Sequence, residues 1–441
     1  MKAPLWLWLV ALASVAWQLV LCSRTPVPSE DGVSYLWMAQ QFAGGGWREA
    51  LSMVFPPGFP LLLAPWVALG LPVEAVGIGC GVLCSAATLW PLARIAGATR
   101  LGAGLPAVVL FAASPLLPRL AVEVYSEPPF LLAMAWGTWC ASRRCWWAAG
   151  AWAGIAFWIR PEGALLPVAF LLAGHWQAWR GLVPVALAIA ALAALRAAAG
   201  HGFDPLPIVS FHELRDDLPG RGDVLTNVLA VPGAWFEAFG GAGVLAAAAL
   251  IVLAVPRWRR GVGRGAGPLA WQVALQIMVT CSFVVRRRFL LSAAVSVHAL
   301  AGVALEHLAS GKRVAVLVAC VVGGAIPAFR GTIEANRATE RELGSFLGAR
   351  LEDGRAIHSN LPRVVWFAGR RPPPPRHFET RQHATMAAAD EVQFVVFSES
   401  GRRLRDQRIE PLLAPRYARL ALPEPLAEAC RARGIAVFVR R

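Results

Sequence analysis

Charged side chains are scarce in this sequence, and lysine is almost absent. Only 16% of the 441 residues are charged, and the lysines are Lys2 and Lys312. An ordinary soluble domain is about a quarter charged and half apolar, whereas 57% of this chain is hydrophobic. This balance excludes a disordered chain, a coiled coil, a collagen and a disulfide-stapled secreted module. It predicts a polytopic α-helical membrane protein.

The sequence also lacks a concentrated basic tract, although its net charge is +15. Residues 1–330 carry 23 basic and 14 acidic side chains, and residues 331–441 carry 19 and 13. The excess is therefore spread, +9 in the first part and +6 in the second. No nucleic-acid-binding motif accompanies it, so we expect no nucleic-acid partner.

Several common site motifs are missing as well. The eight cysteines show neither metal-ligand spacing with histidine nor a readable disulfide framework. The chain contains no GxGxxG or P-loop fingerprint for a nucleotide. No internal repeat is evident, which disfavours a transporter built from repeated halves.

Long apolar stretches are abundant and predict about 11 transmembrane helices. The stretches are 1–21, 73–93, 101–118, 128–142, 146–159, 164–178, 182–199, 232–255, 268–285, 289–307 and 313–329. The segment from Pro57 to Gly70 is shorter and punctuated by prolines. It reads as a re-entrant or interfacial helix rather than a span.

Arginines orient these spans, because cytoplasmic loops carry the excess of basic residues. One side collects Arg94, Arg100, Arg143, Arg144, Arg180, Arg257, Arg259, Arg260, Arg264, Lys312 and Arg313. The opposite, outer side then holds 23–72, 119–127, 160–163, 200–231, 286–288 and everything after 330. We therefore expect a transmembrane domain over 1–330, with outer loops at 23–72, 119–127 and 200–231.

The last part of the chain, 331–441, has a different pattern. Residues 334–352 predict an amphipathic helix, 355–359, 391–398 and 435–440 predict strands, and a further helix is expected near 424–433. This alternation indicates a small soluble α/β domain. The orientation of the spans places it on the extracytoplasmic face.

Acidic residues are rare in the membrane part, so their positions are informative. Glu30 and Asp31 follow the first span, and Glu123 and Glu127 lie between the third and fourth. Both pairs are expected at the outer face. Such carboxylates often do no more than face solvent, but at a shared site they can act as general bases or metal ligands.

Basic and aromatic residues accompany these acids. Two of the three tyrosines, Tyr35 and Tyr125, lie in the acidic loops. Positive charge at Arg119, Arg160 and 286–288 has no topological reason on the outer side. It either snorkels to lipid headgroups or binds a phosphate through charge-assisted bonds. Carboxylates with arginines at a membrane face suggest a reaction on a phosphorylated lipid.

Four motifs in order resemble the GT-C membrane glycosyltransferases, in particular the protein-mannosyltransferase and aminoarabinose-transferase group, which use polyprenyl- or dolichyl-phosphate sugars. The motifs are Ser29-Glu-Asp-Gly-Val-Ser-Tyr35 with the turn Phe55-Pro-Pro-Gly-Phe-Pro60, Tyr125-Ser-Glu127-Pro, Trp158-Ile-Arg160-Pro-Glu-Gly163, and Arg288-Phe-Leu-Leu. The likeness covers most of residues 1–310. Phe289 stands where the group usually has tyrosine, and Arg160 where some members carry lysine.

The resemblance implies a role for each matching residue. Asp31 would be the base that deprotonates the acceptor, with Glu30 as the fallback, and Glu127 the second acid. The substrate- and phosphate-binding set would be Tyr35, Tyr125, Glu123, Arg160, Arg286, Arg287 and Arg288. Pro56, Pro57 and Gly58 would form the structural turn of the first loop. Glu162 is open to a plain ion pair with Arg160.

The same resemblance implies the partners and the place of action. We expect a polyprenyl-phosphate sugar donor, a lipid, glycan or protein acceptor, membrane lipids around the spans, and inverting direct displacement in the cytoplasmic (inner) membrane. No cofactor and no metal are expected, although a divalent metal stays open. A histidine–carboxylate metal site from His201, His212, Asp216, Asp217 and Asp223 is less favoured than a polar cap. The alternative functions are a transporter or flippase of an anionic lipid-linked substrate, and a surface-polysaccharide polymerase or ligase.

Overall fold

The computed structural model describes most of the chain. The described residues are 4–24, 27–205, 224–254, 265–282, 285, 287–330, 335–373, 389–398 and 413–441. Some predicted features lie outside them: Arg286, the basic cluster from Arg257 to Arg264, and His212, Asp216, Asp217 and Asp223.

The chain divides into two compact units. The first consists of Met1–Arg24 and Ala39–Thr332, and the second of Thr25–Met38 and Ile333–Arg441. Residues 25–38, from the predicted first outer loop, therefore group with the C-terminal residues.

Helices are the secondary structure of the described chain up to residue 330, in the first unit and in the N-terminal segment of the second. In chain order the helices up to residue 330 are α1 (Leu5–Arg24), α2 (Glu30–Ala43), α3 (Trp47–Leu51), α4 (Gly58–Ala68), α5 (Val73–Thr99), α6 (Gly104–Ala112), α7 (Leu117–Val122), α8 (Glu127–Ser142), α9 (Trp146–Ile159), α10 (Leu165–Leu172), α11 (Leu182–Ala198), α12 (Val224–Ala254), α13 (Ala266–Ser282), α14 (Arg287–Leu290), α15 (Ala294–Leu305) and α16 (Ser310–Arg330). Short 3-10 turns lie at Pro161–Ala164, Trp176–Gly181 and Leu291–Ala293. The helix α12 is broken at Gly240, where φ is 54°.

Six helical stretches among the described residues are long and apolar enough to cross a membrane. They are Leu5–Arg24, Val73–Thr99, Trp176–Ala198, Val224–Ala254, Arg287–Leu305 and Ser310–Phe329. The other predicted spans form shorter helices, and the stretch 101–118 contains α6 and the start of α7. The prediction of helices that are long and apolar enough to cross a membrane is thus confirmed. The number of about 11 stays a prediction. Pro57–Gly70 forms the 11-residue helix α4, and its re-entrant or interfacial placement stays a prediction too.

The interior of the first unit is apolar, with a few hydrogen bonds between helices. Every residue of α15 except Ala304 is buried. On this helix Ser296 donates to the side-chain oxygen of Gln272 in α13 at 2.7 Å, and Gln272 donates in turn to Thr138 in α8 at 3.3 Å. Such bonds fix helix pairs that apolar packing alone leaves free to slide.

The second unit contains a four-stranded sheet. Its C-terminal elements are α17 (Ala335–Gly348), β1 (Ala356–Ser359), α18 (Pro362–Phe367), β2 (Val392–Ser398), β3 (Tyr417–Arg419), α19 (Leu426–Arg431) and β4 (Ile435–Arg440). The strand order is β1-β2-β4-β3, with β1 and β2 parallel and the other pairs antiparallel. Strands lie where the sequence predicts them, and only the three-residue β3 lacked a signal.

Side chains of β2 alternate between two buried layers, as the pleat of a strand requires. Phe394 and Val396 pack with α17, α18 and α19, while Val395 and Phe397 pack with Leu413, Tyr417 and Phe438. The sheet is therefore covered on both faces.

Candidate active site

A buried group of charged side chains surrounds Glu127, the first residue of α8. Ser126 precedes it, and two prolines follow in the first turn, where a missing N–H costs nothing. A carboxylate at this end of a helix is stabilised by the free N–H groups and the helix dipole. Glu127 is only 1% exposed, so it needs partners to remain charged.

Arg160 supplies the first partner of Glu127. Its Nη1 donates to Glu127 Oε1 at 2.7 Å, and its Nη2 donates to Glu162 Oε1 at 2.9 Å. The ion pair with Glu162 that the sequence left open is thus present, and the second carboxylate joins it. Burial lowers the pKa of the Arg160 guanidinium, but Glu162 and Glu127 raise it by more, so the net shift is upward.

The backbone at Arg160 explains why its side chain reaches α8. Arg160 follows the last residue of α9 and is extended, with φ −153° and ψ 135°. The next residue, Pro161, disfavours helical backbone at Arg160 and starts a 3-10 turn that carries Glu162. Pro161 therefore ends α9, and it stands between Arg160 and Glu162 in the sequence.

Glycines allow this turn to pack closely. A Cβ on Gly163 would lie 2.6 Å from the carbonyl carbon of Ala156 and would also meet the backbone nitrogen of Phe157. A Cβ on Gly58 would lie 2.6 Å from the carbonyl oxygen of Trp158. The predicted Pro-Pro-Gly turn, with Pro56, Pro57 and Gly58, thus starts α4 and contacts the end of α9.

Arg288 is the second arginine beside Glu127. Its Nε lies 3.4 Å from Glu127 Oε1, and its guanidinium lies 4.9 Å from the ring centre of Tyr125. The Arg288 side chain is 29% exposed, against 10% for Arg160. Arg288 is therefore the more accessible of the two cations.

A buried amide holds the turn that carries Arg288. Gln276 in α13 donates to the backbone oxygen of Phe289 at 3.0 Å, and Ser292 donates to Glu162 Oε1 at 3.4 Å. Sequence reasoning missed both residues. The signal that was available is a polar side chain within an apolar span, which usually has a partner or a function.

Unused hydrogen-bonding atoms remain in the group. Glu127 Oε2, Glu162 Oε2 and Arg160 Nε are buried and have no hydrogen-bond partner among the described residues. Two acceptors and one donor without partners are costly in a folded interior. The group thus has unused hydrogen-bonding capacity at two acceptors and one donor.

The loop before α8 is strained. Arg119 pairs with Glu123 at 3.1 Å, and both are buried. Val124 then adopts φ 60°, and the N–H of Tyr125 bonds the carbonyl of Leu120 at 3.2 Å. This is a Schellman-type helix end with valine in the place that glycine usually takes, and such a conformation costs about 1–3 kcal/mol.

The predicted base lies in the second unit. Asp31 and Glu30 are in the first turn of α2, which Ser29 caps by accepting a 2.9 Å hydrogen bond from the N–H of Gly32. Glu30 lies 3.5 Å from Arg363. Tyr35 lies further along α2 and is buried.

The remaining predicted residues are less engaged or not described. Arg287 is half exposed and lies 3.7 Å from Glu237, while Arg286 is outside the described residues. His201 makes a 2.8 Å hydrogen bond with the carbonyl of Arg48. Within the described part of the chain, no three His, Cys, Asp or Glu side chains are grouped so that they could hold a metal ion. The expectation of no metal stays a prediction.

Solved structures of other proteins share this fold. ArnT from Cupriavidus metallidurans bound to undecaprenyl phosphate is similar with a TM-score of 0.68 and 14% identity, over 99% of this chain and 98% of that one. Apo ArnT from the same organism gives 0.61 and 15%, over 98% and 97%. The apo oligosaccharyltransferase of Archaeoglobus fulgidus gives 0.60 and 12%, over 89% and 69%. No family model and no curated protein sequence matches the chain.

The comparison confirms the fold that the sequence motifs indicate. The ArnT likeness extends over nearly the whole of both chains, including the C-terminal part. Identity of 12–15% shows a common fold and leaves the activity to be argued from the site.

Proposed function

We propose that the protein is a membrane glycosyltransferase that moves a sugar from a polyprenyl-phosphate donor to a lipid, glycan or protein acceptor. The observation that carries the proposal is the Glu127 carboxylate, whose Oε1 has two arginine partners and whose buried Oε2 has none among the described residues. An ionised carboxylate oxygen accepts a hydrogen bond from a sugar or acceptor hydroxyl. ArnT of the same fold, solved with undecaprenyl phosphate, supports the donor class.

The reaction is a single displacement at the anomeric carbon. The acceptor oxygen or nitrogen attacks that carbon while Asp31 takes its proton. The bond from the anomeric carbon to the phosphate oxygen breaks, and its electron pair leaves with the polyprenyl phosphate. Attack opposite the leaving group inverts the configuration of the sugar.

Arginine charge makes the phosphate a good leaving group without protonation. We assign this role first to Arg288, because its side chain is the more exposed of the two arginines at Glu127. Arg160 is hydrogen-bonded to two carboxylates, and it would add to the positive charge that neutralises the phosphate. Arg287 and Arg286 would add further positive charge.

The carboxylates would have separate roles in orientation and proton transfer. Glu127 would orient the sugar or the acceptor through its Oε2, and Tyr125, which lies under the Arg288 guanidinium, would line the same site. Asp31 would be the base and Tyr35 a lining residue, as the motif Ser29 to Tyr35 implies. The proposal places the reaction at the outer face of the cytoplasmic membrane and requires no metal.

Donor turnover tests the proposal. Purified protein in nanodiscs would be offered a panel of polyprenyl-phosphate sugars with crude membrane acceptors, and released polyprenyl phosphate would be quantified. Asp31→Asn should lower the rate by about 10² to 10⁴-fold, the usual contribution of a general base. Asp353→Asn, which changes an exposed aspartate, is the matched control and should leave the rate unchanged.

Two outcomes would contradict the proposal. Wild-type protein that releases no polyprenyl phosphate from any donor, but moves lipid-linked substrate across the membrane of vesicles, would be a transporter. Full activity of Asp31→Asn would remove Asp31 as the base. The anomeric configuration of the product, read by NMR, independently tests direct displacement, since retention requires two steps.

A further inference from the structure

The first turn of α2 belongs to the same compact unit as the C-terminal residues. This turn carries Glu30 and Asp31. Glu30 lies 333 positions before Arg363 in the sequence. A C-terminal domain that folds separately would not be expected to include a segment from the N-terminal part of the chain. The contacts within this unit show how it is held.

Arg363 is the centre of these contacts. It lies in α18 and is 7% exposed. Its Nε and Nη2 donate to the two carboxylate oxygens of Glu340 in α17, both at 2.8 Å. The same Nη2 lies 3.5 Å from Oε1 of Glu30. One guanidinium therefore joins two C-terminal helices to the start of α2.

The packing of α17 on α18 fixes that guanidinium. Glu340, Gly344 and Gly348 are spaced by four residues and lie on one face of α17. A Cβ on Gly344 would lie 2.6 Å from both Phe367 Cβ and the carbonyl oxygen of Val364, and one on Gly348 would lie 2.9 Å from Ala368 Cα. The glycines allow the helices to approach, and Glu340 then meets Arg363 with both oxygens.

A second contact holds α2 seven residues further on. The guanidinium of Arg371, just beyond α18, lies 4.9 Å from the ring centre of Trp37. A guanidinium over the face of an indole ring is attracted by the electron-rich face of the ring. The two contacts lie on either side of Tyr35, so α2 is held at two points by residues that follow one another closely in sequence.

The ion pair of Arg363 with Glu340 has a fixed geometry. A planar guanidinium that bonds a carboxylate with two parallel N–H groups has one orientation, which a lysine does not reproduce. Because Arg363 and Glu340 are both buried, neither is free to leave the pair. Glu30 has a 56% exposed side chain, and it is the member whose position the other two determine.

We propose that Arg363 is a positioning residue which, through Glu30, holds the adjacent Asp31 carboxylate where it accepts the proton. The inference rests on the proposed function, and it deepens that function by giving the C-terminal domain a part in the reaction. Glu30 is then a tether of the base rather than a base. Neither Arg363 nor Glu340 touches substrate in this scheme.

Kinetics and amide hydrogen exchange on the full chain test the proposal together. Arg363→Met should lower kcat for donor turnover by about tenfold or more, since misplacement of a reacting group by about 1 Å costs up to about a hundredfold. The donor KM should stay within about a factor of two, because donor phosphate contacts are untouched. Arg363→Lys keeps the charge and should lie between wild type and Arg363→Met. Amides over residues 30–38 should exchange faster in Arg363→Met.

A matched control exists on the surface of the same unit. Arg431 pairs with Glu424 at 2.8 Å, and both side chains are about 60% exposed. Arg431→Met should change neither kcat nor the exchange of α2. If Arg363→Met fails to fold, Glu30→Gln leaves the Arg363–Glu340 pair intact and should still speed exchange in the first turn of α2.

The outcomes separate this inference from the proposed function. Wild-type exchange over residues 30–38 in both Arg363→Met and Glu30→Gln would overturn the tether, whatever the activity. Faster exchange with a wild-type kcat would overturn the positioning role. A wild-type protein without donor turnover would remove the proposed function, and the exchange comparison would then decide the tether alone.

Discussion

The guanidinium of Arg160 donates a 2.7 Å hydrogen bond to the carboxylate of Glu127 and joins the end of α9 to the start of α8. Both groups are buried, and a second bond to Glu162 completes the pair of carboxylates around one cation. Burying a charge is costly unless a partner is placed well. The fold therefore depends on this contact before any chemistry is considered.

Replacing Arg160 should damage stability and activity together. Arg160→Met leaves Glu162 without its arginine and Glu127 with Arg288 alone, and breaking a buried ion pair costs about 3–5 kcal/mol. Arg160→Lys keeps the charge but bonds the two carboxylates less well, so it should fold and turn over donor more slowly. Thermal unfolding in detergent and release of polyprenyl phosphate measure the two effects. An Arg160→Met protein as stable as wild type would show that Arg288 alone balances Glu127.

A methyl group at Gly163 should disturb the site without removing any charge. The added Cβ would overlap the backbone of Ala156 and Phe157, and overpacking of this kind costs about 1–3 kcal/mol. The turn that carries Glu162 must then move away from α9. We expect Gly163→Ala to lower both the melting temperature and donor turnover.

The control for Gly163 is another helical glycine with room around it. A Cβ on Gly97 in α5 meets nothing within 4 Å, so Gly97→Ala should be neutral or slightly stabilising. Equal loss in both variants would mean that glycine-to-alanine changes act through general insertion or folding, and not through the close packing at the end of α9.

Gln276 should matter for activity although it is outside the predicted motifs. Gln276→Met has nearly the same volume but leaves the carbonyl of Phe289 without its donor, and an unsatisfied buried group costs about 1–3 kcal/mol. The turn with Arg288 should loosen, and if Arg288 binds the donor phosphate as proposed, donor KM should rise.

Gln18 supplies the comparison for Gln276. It is also buried, and its amide nitrogen donates to Ser14 of its own helix at 3.0 Å. Gln18→Met should leave donor KM unchanged. A wild-type donor KM in Gln276→Met would show that the hydrogen bond to the Phe289 carbonyl does not affect phosphate binding.

The sequence predicts the parts of this site that are local. Pro161 ends α9 at Arg160, Ser29 caps α2, and the Pro-Pro pair starts α8, each because of one residue's backbone preference. The ion pair of Arg160 with Glu162 was accessible in the same way, since only Pro161 lies between them. Apolar periodicity likewise indicates the helices of the first unit and most strands of the second.

Contacts between distant parts of the chain were not predictable in this way. Glu127 meets Arg160 across 33 residues, and Glu30 meets Arg363 across 333. No local pattern encodes such a pairing, because it depends on how helices pack through glycines such as Gly344. Six helical stretches among the described residues are long and apolar enough to cross a membrane, whereas the other apolar runs form shorter helices, so a count of apolar runs is not a count of spans.

The orientation of the chain in the membrane is a prediction that labelling of a native cysteine tests. Cys145 is exposed and follows Arg143 and Arg144, which the arginine distribution places in the cytoplasm. A membrane-impermeant thiol reagent should therefore label Cys145 in inverted vesicles and not in right-side-out vesicles. Asp353→Cys, made in a Cys145→Ser background, adds an exposed thiol in the second unit. It should show the opposite pattern if that part of the chain is extracytoplasmic.

The buried Cys430 of the second unit is the internal control, since it should stay unlabelled in both preparations until the protein is denatured. The reverse pattern for Cys145 and Asp353→Cys would put the acidic loops and the C-terminal domain in the cytoplasm. A polyprenyl-phosphate sugar would then have to be used on the inner leaflet, and Arg160 and Arg288 would follow the positive-inside rule without needing a phosphate to explain them.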